Sequence, residues 1–289
     1  MKTGIVVEGG AMRAVYNAGV LDVLLENSIF FDYLIGVSAG AGNSASYISK
    51  QNGRAYRCNT EYIHDKRFMG VDPLLKHHSF FGLDFIVDGM AYDLEPFDFD
   101  EFYRDETELV IGVTNALTGQ DEYFTKDFLV ENNTLDPFKA SCAVPIFCQP
   151  VMINGIPYFD GGVADSIPVK KALEDGCDRL VIVLTREKGF QKRPEALPPV
   201  YKKILSDYPK VAESLEQRHI KYNETLKLID KLENEGRAIV VQSERPLDVW
   251  EVALSRTKLD ACYDRGRLDC LQRLQDIKDF VRKQDTTKD

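Results

Sequence analysis

The pentapeptide Gly36-Val37-Ser38-Ala39-Gly40 sets a hydroxyl nucleophile among small residues. The apolar run Tyr33-Leu34-Ile35 leads into it, and a stretch rich in small residues, Ala41 to Ser49, follows. Strand, Gly-x-Ser-x-Gly and helix make a nucleophile elbow, in which the serine sits on a strained turn with its hydroxyl held out toward a substrate. Glycine suits positions 36 and 40 because side chains there would strike the crossing strand and helix. A serine attacks a carbonyl only when a neighbour takes its proton. The α/β hydrolases use a histidine late in the chain. Here the only histidine beyond residues 52–106 is His219, set in the charged run Glu216 to Lys221 of a long helix, a poor place for a base. The base should therefore be a carboxylate. Asp160 is the best placed candidate, because it ends an apolar run and Gly161-Gly162 behind it permits close backbone approach. An ordinary Asx turn would use the same residue types.

A second glycine turn follows the first apolar run, Thr3 to Val7. It reads Glu8-Gly9-Gly10-Ala11-Met12-Arg13-Ala14 and opens a helix with Val15, Ala18, Val20, Leu21 and Leu24 on one face. Backbone N–H groups at such a helix entrance suit an anion. A pyrophosphate and the oxyanion of an acyl-transfer intermediate both compete for that place, and a plain tight turn needing two glycines is the third reading. The dinucleotide pattern Gly-x-Gly-x-x-Gly is not supplied. The second strand also ends in Ser38, where that pattern would want a ribose-binding acid.

These turns need a scaffold. Apolar runs at Glu108 to Asn115, Arg179 to Thr185 and Ala238 to Gln242 read as further strands, and Glu122 to Thr125 as one pairing back. Val151 to Phe159 reads as a hairpin around Asn154-Gly155. Helices are expected at Asp136 to Ala143, with Asp136 as N-cap, at Val211 to Glu235, and at about Thr257 to Lys283, with a fraying tail at Gln284 to Asp289. Strands alternating with helices indicate a mostly parallel sheet covered on both faces, an α/β class. Residues 52–106 are the least regular part and read as a cap-like insertion whose aromatics grip an apolar substrate or pack on one another. No linker interrupts residues 1–289, so a single domain is expected, with a helical extension at about 244–289. The loop Arg186 to Lys203 is basic and proline-bearing, and either faces an anionic membrane surface transiently or is simply solvated.

Composition narrows the partners. A net charge of −10 disfavours nucleic acid. No segment approaches the roughly 20 apolar residues that span a bilayer, and no secretory leader is legible at the N-terminus. The six cysteines form no CxxC pair, so free thiols in a reducing cytoplasm are expected. Adjacent His77 and His78 diverge on any regular backbone, and no metal or other cofactor is expected.

Taken in order, Glu8-Gly9-Gly10-Ala11-Met12-Arg13-Ala14, Gly36-Val37-Ser38-Ala39-Gly40 and Asp160-Gly161-Gly162 resemble the patatin-like phospholipase family. Ala140-Ser141-Cys142-Ala143-Val144-Pro145 is similar to its Ala-Ser-x-Ala-x-Pro segment. The resemblance covers about Lys2 to Thr185. It implies a three-layer α/β/α fold and a Ser–Asp dyad that cleaves acyl esters of lipids through an acyl-enzyme, with Ser38 as nucleophile and Asp160 as base. The N–H groups of Gly10 and Ala11 would form the oxyanion hole, Gly9 would shape the turn, and Arg13 would sit beside it. An acyltransferase using the same acyl-enzyme, or a non-catalytic lipid-binding module, are the alternatives. The family usually has glycine at positions 11 and 14, where this chain has alanine. A backbone N–H survives either change, but Ala11 would be strained at positive φ.

Overall fold

A chain that leaves one strand and returns beside it in the same direction must cross over, and here helices make the crossings. The structure, a computed structural model, describes residues 1–196, 198–249, 252 and 255–282. β1 (Lys2–Val7) leads through a 3-10 turn (Ala11–Ala14) to α1 (Val15–Glu26), then β2 (Tyr33–Val37) and α2 (Ala39–Ile48). Next come α3 (Arg54–Thr60), α4 (Val71–His77), a π-helical segment (Phe85–Leu94) and α5 (Phe99–Arg104). β3 (Glu108–Asn115), β4 (Asp121–Thr125), α6 (Lys126–Asn132), α7 (Asp136–Ser141), β5 (Val151–Ile153) and β6 (Ile156–Asp160) follow. The chain continues with α8 (Val169–Glu174), β7 (Cys177–Val183), α9 (Pro198–Ile204), α10 (Pro209–Asn234), β8 (Ala238–Val241) and α11 (Arg256–Arg282).

The sheet is mostly parallel. β3, β2, β1, β7 and β8 run side by side in one direction, and β4, β6 and β5 add antiparallel pairings at one end. Side chains alternate between the faces as a pleat requires. Ile5, Val7, Leu34, Val181 and Val183 enter the core beneath α1, α2 and α11. Val6, Tyr33, Ile35, Leu180 and Ile182 enter the core beneath α8 and α10. Helices thus cover both faces of the sheet, in three layers. Burying each such aliphatic side chain is worth roughly 1.5–3 kcal/mol, which is why strands two-sided in apolar residues end up central.

The register of β3 fixes the geometry of the site. Val110, Ile111 and Gly112 pair with β4 and also with Ile35, Gly36 and Val37 of β2, so β2 and β4 lie on opposite edges. Val113 and Thr114 pair with β4 and also with Asp160 and Phe159, so β6 lies on the edge that β2 has just left. β2 ends at Val37 opposite Gly112, and β6, running the other way, ends at Asp160 opposite Val113. The two strands meet end to end.

The hairpin turn has Asn154 at φ 51° and Gly155 at φ 81°, the left-handed pair a two-residue loop requires. Two details differ from expectation. Leu135, not Asp136, caps α7, because Pro137 is tolerated anywhere in the first turn and the helix begins one residue earlier. The basic stretch at 186–203 is not all loop: Pro198 and Pro199 open α9, proline's fixed φ being suited to a helix start. The expected fraying at 284–289 lies outside the described residues. Among the described residues no helix is long and apolar enough to cross a membrane.

Candidate active site

Ser38 takes φ 56° and ψ −136°, outside the regions open to ordinary L-residues. Such a backbone persists only where the surroundings over-determine it, and here several contacts do so. The Ser38 N–H donates to Ser141 Oγ at 2.7 Å, and that hydroxyl donates to the Gly112 carbonyl at 2.6 Å. The carbonyl of Ser38 accepts the N–H groups of Ala41 and Gly42, which starts α2. A Cβ at Gly40 would come within 2.6 Å of the Val7 and Glu8 carbonyl oxygens, and one at Gly36 within 2.8 Å of the Ala41 backbone. Both glycines are therefore steric necessities of the strand–helix crossing, as the sequence indicated.

Asp160 ends β6 with its backbone tied on both sides. Its N–H donates to the Ala143 carbonyl at 2.9 Å, and its carbonyl accepts the Thr114 hydroxyl at 2.8 Å. Its Oδ1 accepts the Gly162 N–H at 2.7 Å. The Cys142 thiol is hydrogen-bonded with the Ser38 side chain and also feels the Asp160 carboxylate. Burial, reinforced by that charge, pushes the Cys142 thiol well above its ordinary pKa, and burial is also the largest cause that raises Cys148, to about 11. Both sulfurs stay protonated at neutral pH, so neither competes with Ser38 as a nucleophile.

The glycine turn lies against the elbow. A Cβ at Gly9 would meet Ser38 Cβ at 2.8 Å. Gly10 has φ 155°, and Ala11 has φ 47°, so the strain foreseen for an alanine there is present. Among the described residues no acceptor meets the N–H groups of Gly9, Gly10 or Ala11. Arg13, 9% exposed, stands on the 3-10 turn. Ser38 and Asp160, each 7% exposed, line one cavity of about 720 Å³ together with Gly9, Gly10, Ala11 and Arg13. All the residues that the motifs singled out are thus brought together. None of the four histidines lines this cavity: His64, His77 and His78 are exposed, and His219 sits on α10 outside its wall.

Residues 5–173 match the patatin-like phospholipase family. The chain belongs to that family. The patatin-like match ends before β7, and residues 208–282 match a domain of unknown function, DUF6363. The chain is 29% identical over 273 residues to the uncharacterized protein YjjU of Escherichia coli (strain K12), covering 92% of this chain and 75% of that protein. It is 28% identical over 181 residues to patatin-like phospholipase domain-containing protein 2 of Mus musculus, covering 58% of this chain and about a third (35%) of that protein. A crystal structure of VipD from Legionella pneumophila aligns with TM-score 0.48 and 13% identity, covering 95% of this chain and 67% of that one. Membership of the patatin-like family points to lipid substrates and lipid acyl hydrolase activity.

Two contributors were not legible as site residues. Ser141 lay inside a recognised segment, but only the register of α7 against the elbow reveals that it holds the Ser38 N–H. Glu8 is a buried carboxylate. It accepts Thr185 N–H at 2.6 Å on Oε2 and the Tyr222 hydroxyl at 2.6 Å on Oε1, while its own carbonyl accepts Asn17 Nδ2. The Thr185 hydroxyl lies 2.8 Å from the Gly9 carbonyl oxygen. Glu8 therefore bolts the glycine turn to the end of β7 and to α10. Burial, then the Glu8 charge, pushes the Tyr222 hydroxyl far above its usual pKa, so it remains a donor. A glutamate before paired glycines carries a sequence signal for this role only in hindsight.

The 52–106 stretch packs largely on its own aromatics: Phe97 contacts both Phe99 and Phe102, and Tyr92 stacks on Phe99. It also lines an apolar cavity of about 120 Å³ with Ile86, Met90 and Phe97 on one side and Ala39 and Cys142 on the other.

Proposed function

We propose that the protein is a serine lipid acyl hydrolase working through a Ser38–Asp160 dyad. Asp160 accepts the Ser38 proton as the hydroxyl oxygen attacks the ester carbonyl. The N–H groups of Gly10 and Ala11, fixed by Gly9 and Glu8, receive the oxyanion, each such donor being worth about 3 kcal/mol of barrier. Arg13 adds positive potential beside them. The intermediate collapses to an acyl-enzyme, and Asp160 returns its proton to the departing alkoxide. Water, deprotonated by Asp160, then releases the fatty acid and restores Ser38. Residues 52–106 act as the cap, and the acyl chain runs toward the apolar cavity beside Ala39. Ile146 and Phe147, over two-fifths exposed at the cavity mouth, suit a transient contact with a lipid aggregate.

The observation that carries this reading is the end-to-end meeting of β2 and β6 on one edge of β3, beside a turn where the N–H groups of Gly9, Gly10 and Ala11 meet no acceptor among the described residues. The test pairs a chromogenic acyl ester with a fluorophosphonate probe. Wild type should hydrolyse the ester and take the label. Ser38→Ala should lose both, and Asp160→Asn should lose turnover by about a thousandfold or more while remaining folded. Labelling or turnover persisting in Ser38→Ala would overturn the assignment.

A further inference from the structure

One face of α2 lines the apolar cavity beside the elbow. Ala39, Gly42, Asn43 and Ser46 follow one another there at the i, i+3, i+4, i+7 spacing of a single helix face. The near end lies at the nucleophile, because Ser38 is the N-cap of α2 and the Cys142 thiol on the wall is hydrogen-bonded with the Ser38 side chain. Ser46 lies about 10 Å farther along the helix axis than Ala39. That far end is not apolar. Arg54 of α3 lines it, 6% exposed, and among the described residues it is the only charged side chain on the cavity wall. Its Nε donates to the Glu95 carbonyl at 2.9 Å and its Nη1 to Ser46 Oγ at 3.1 Å, while the guanidinium lies over the Phe97 ring at 4.9 Å. These contacts fix the group without neutralising it. Among the described residues Arg54 forms no ion pair and its Nη2 meets no acceptor. Glu95, whose charge bears on Arg54, gives its carboxylate to Arg57 at 2.9 Å, and burial keeps the neighbouring Cys58 a neutral thiol. A guanidinium stays charged at any pH the protein meets, and a buried charge without a countercharge is costly. A neutral amide would tie Ser46 to Glu95 as well, so the charge itself calls for an anion.

The geometry points to a carboxylate-binding end in this cavity: Arg54 receives the terminal carboxylate of a short acyl chain whose ester lies at Ser38. The substrate is then an ester, of a lipid or another alcohol, formed by one end of a dicarboxylic acid. This rests on the reading of Ser38 and Asp160 as the hydrolytic pair and names the acyl group they release. The planar fork of a guanidinium suits a carboxylate, and Ile86, Val87, Met90 and Phe138 cover the methylenes between the two ends. Size points the same way. An apolar cavity of about 150 Å³ holds a group as large as benzene, so one of about 120 Å³ has no room for a long fatty chain. An extended chain of about six to eight carbons covers the roughly 10 Å from Ala39 to Ser46.

The experiment compares the mono-para-nitrophenyl ester of octanedioic acid with para-nitrophenyl octanoate, which differ only in the terminal carboxylate. Wild type should prefer the acidic ester about tenfold or more in kcat/KM, and equal rates would overturn the proposal without recourse to any variant. In Arg54→Met the ratio of the two should fall about tenfold or more, through KM rather than kcat, whereas a merely structural defect, followed by a thermal melt, would lower both esters together. Arg54→Lys, which keeps the charge, should restore part of the preference. A second arm needs no turnover: calorimetric binding of monomethyl octanedioate to Ser38→Ala should weaken about tenfold when Arg54→Met is added. This arm stands if neither ester is hydrolysed and the hydrolytic reading fails. Free octanoate binding to Ser38→Ala as tightly as the monomethyl ester, with no preference between the nitrophenyl esters, would make Arg54 a site for free carboxylic acids and overturn its assignment to the substrate's acyl end.

Discussion

Replacing Ser141 with alanine tests how the elbow is held. Ser141 is fully buried at the end of α7, and its hydroxyl is the acceptor for the Ser38 N–H and a donor to the Gly112 carbonyl. Alanine fits the space but leaves both backbone groups without that partner in a place water does not reach. An unsatisfied buried polar group costs about 1–3 kcal/mol. The N–H has no second valence to fall back on, while a carbonyl retains another lone pair. Together they put the loss of stability at about 2–4 kcal/mol. The strained Ser38 backbone holds about 1–3 kcal/mol that its contacts must retain. With its N–H released, Ser38 can relax and its hydroxyl drifts from Asp160. The kcat should then fall about tenfold to a hundredfold, since each 1.4 kcal/mol of barrier is a factor of ten. KM should change less, because Ser141 does not line the cavity. Urea unfolding followed by circular dichroism measures the first effect, and steady-state hydrolysis of a soluble acyl ester the second. If Ser141→Ala matched wild type in both unfolding and kcat, the elbow would not depend on this anchor.

Two alanines on one helix should act in opposite directions. Gly40→Ala would push a methyl to 2.6 Å from two backbone oxygens and should cost about 3 kcal/mol or more, whereas Gly42→Ala meets nothing within 4 Å and should gain about 0.5–1 kcal/mol, both read from unfolding midpoints. Tyr222→Phe removes a donor to buried Glu8 and should cost about 1.5–3 kcal/mol, lowering kcat with it because Glu8 holds the glycine turn; unchanged unfolding would refute the linkage. Asp165 is pushed up to about 6 from 3.8, first by burial and then by the Asp121 charge. Its native form holds a proton that the unfolded chain releases, so stability should fall as pH rises from about 4 to 6 and stay lower above that. Asp165→Asn should therefore raise the melting temperature at neutral pH, by at most about 3 kcal/mol in stability, and lose that advantage below pH about 4. A melting-temperature difference independent of pH would remove Asp165 from the account.

Strands two-sided in apolar residues, such as Ile5-Val6-Val7 and Leu180-Val181-Ile182, were legible because a parallel sheet covered on both faces leaves nothing for a polar side chain to meet. The elbow and the glycine turn were legible because their constraint is local: a backbone bend demands a residue type at a fixed offset. What stayed hidden depends on partners distant in sequence. The hydrogen bond between Ser38 and Ser141 joins residues 103 apart, and that between Tyr222 and Glu8 residues 214 apart. The basic stretch at 186–203 shows the same limit. Its charge was visible, but its tie to α10 runs through Asn223, which hydrogen-bonds the Lys192 backbone and has no signature of its own.

Those distant partners bear on what the segment beyond the patatin-like match contributes. β8 extends the sheet beside β7, and α11 crosses α1 with backbones in contact: a Cβ at Gly266 would meet the Tyr16 carbonyl oxygen at 2.1 Å, and one at Gly19 the Tyr263 carbonyl oxygen at 2.2 Å. Tyr16 donates to Asp269 and Tyr263 donates to Asp22, so each helix satisfies a buried carboxylate of the pairing. α10 supplies Leu215, Arg218 and Tyr222 to the cavity that holds Ser38. Without α10, Glu8 would keep Thr185 as a donor but lose the Tyr222 hydroxyl, and a buried polar group that loses a partner is destabilising. The turn that would bind the oxyanion is shaped in part by a helix that the patatin-like motifs do not include.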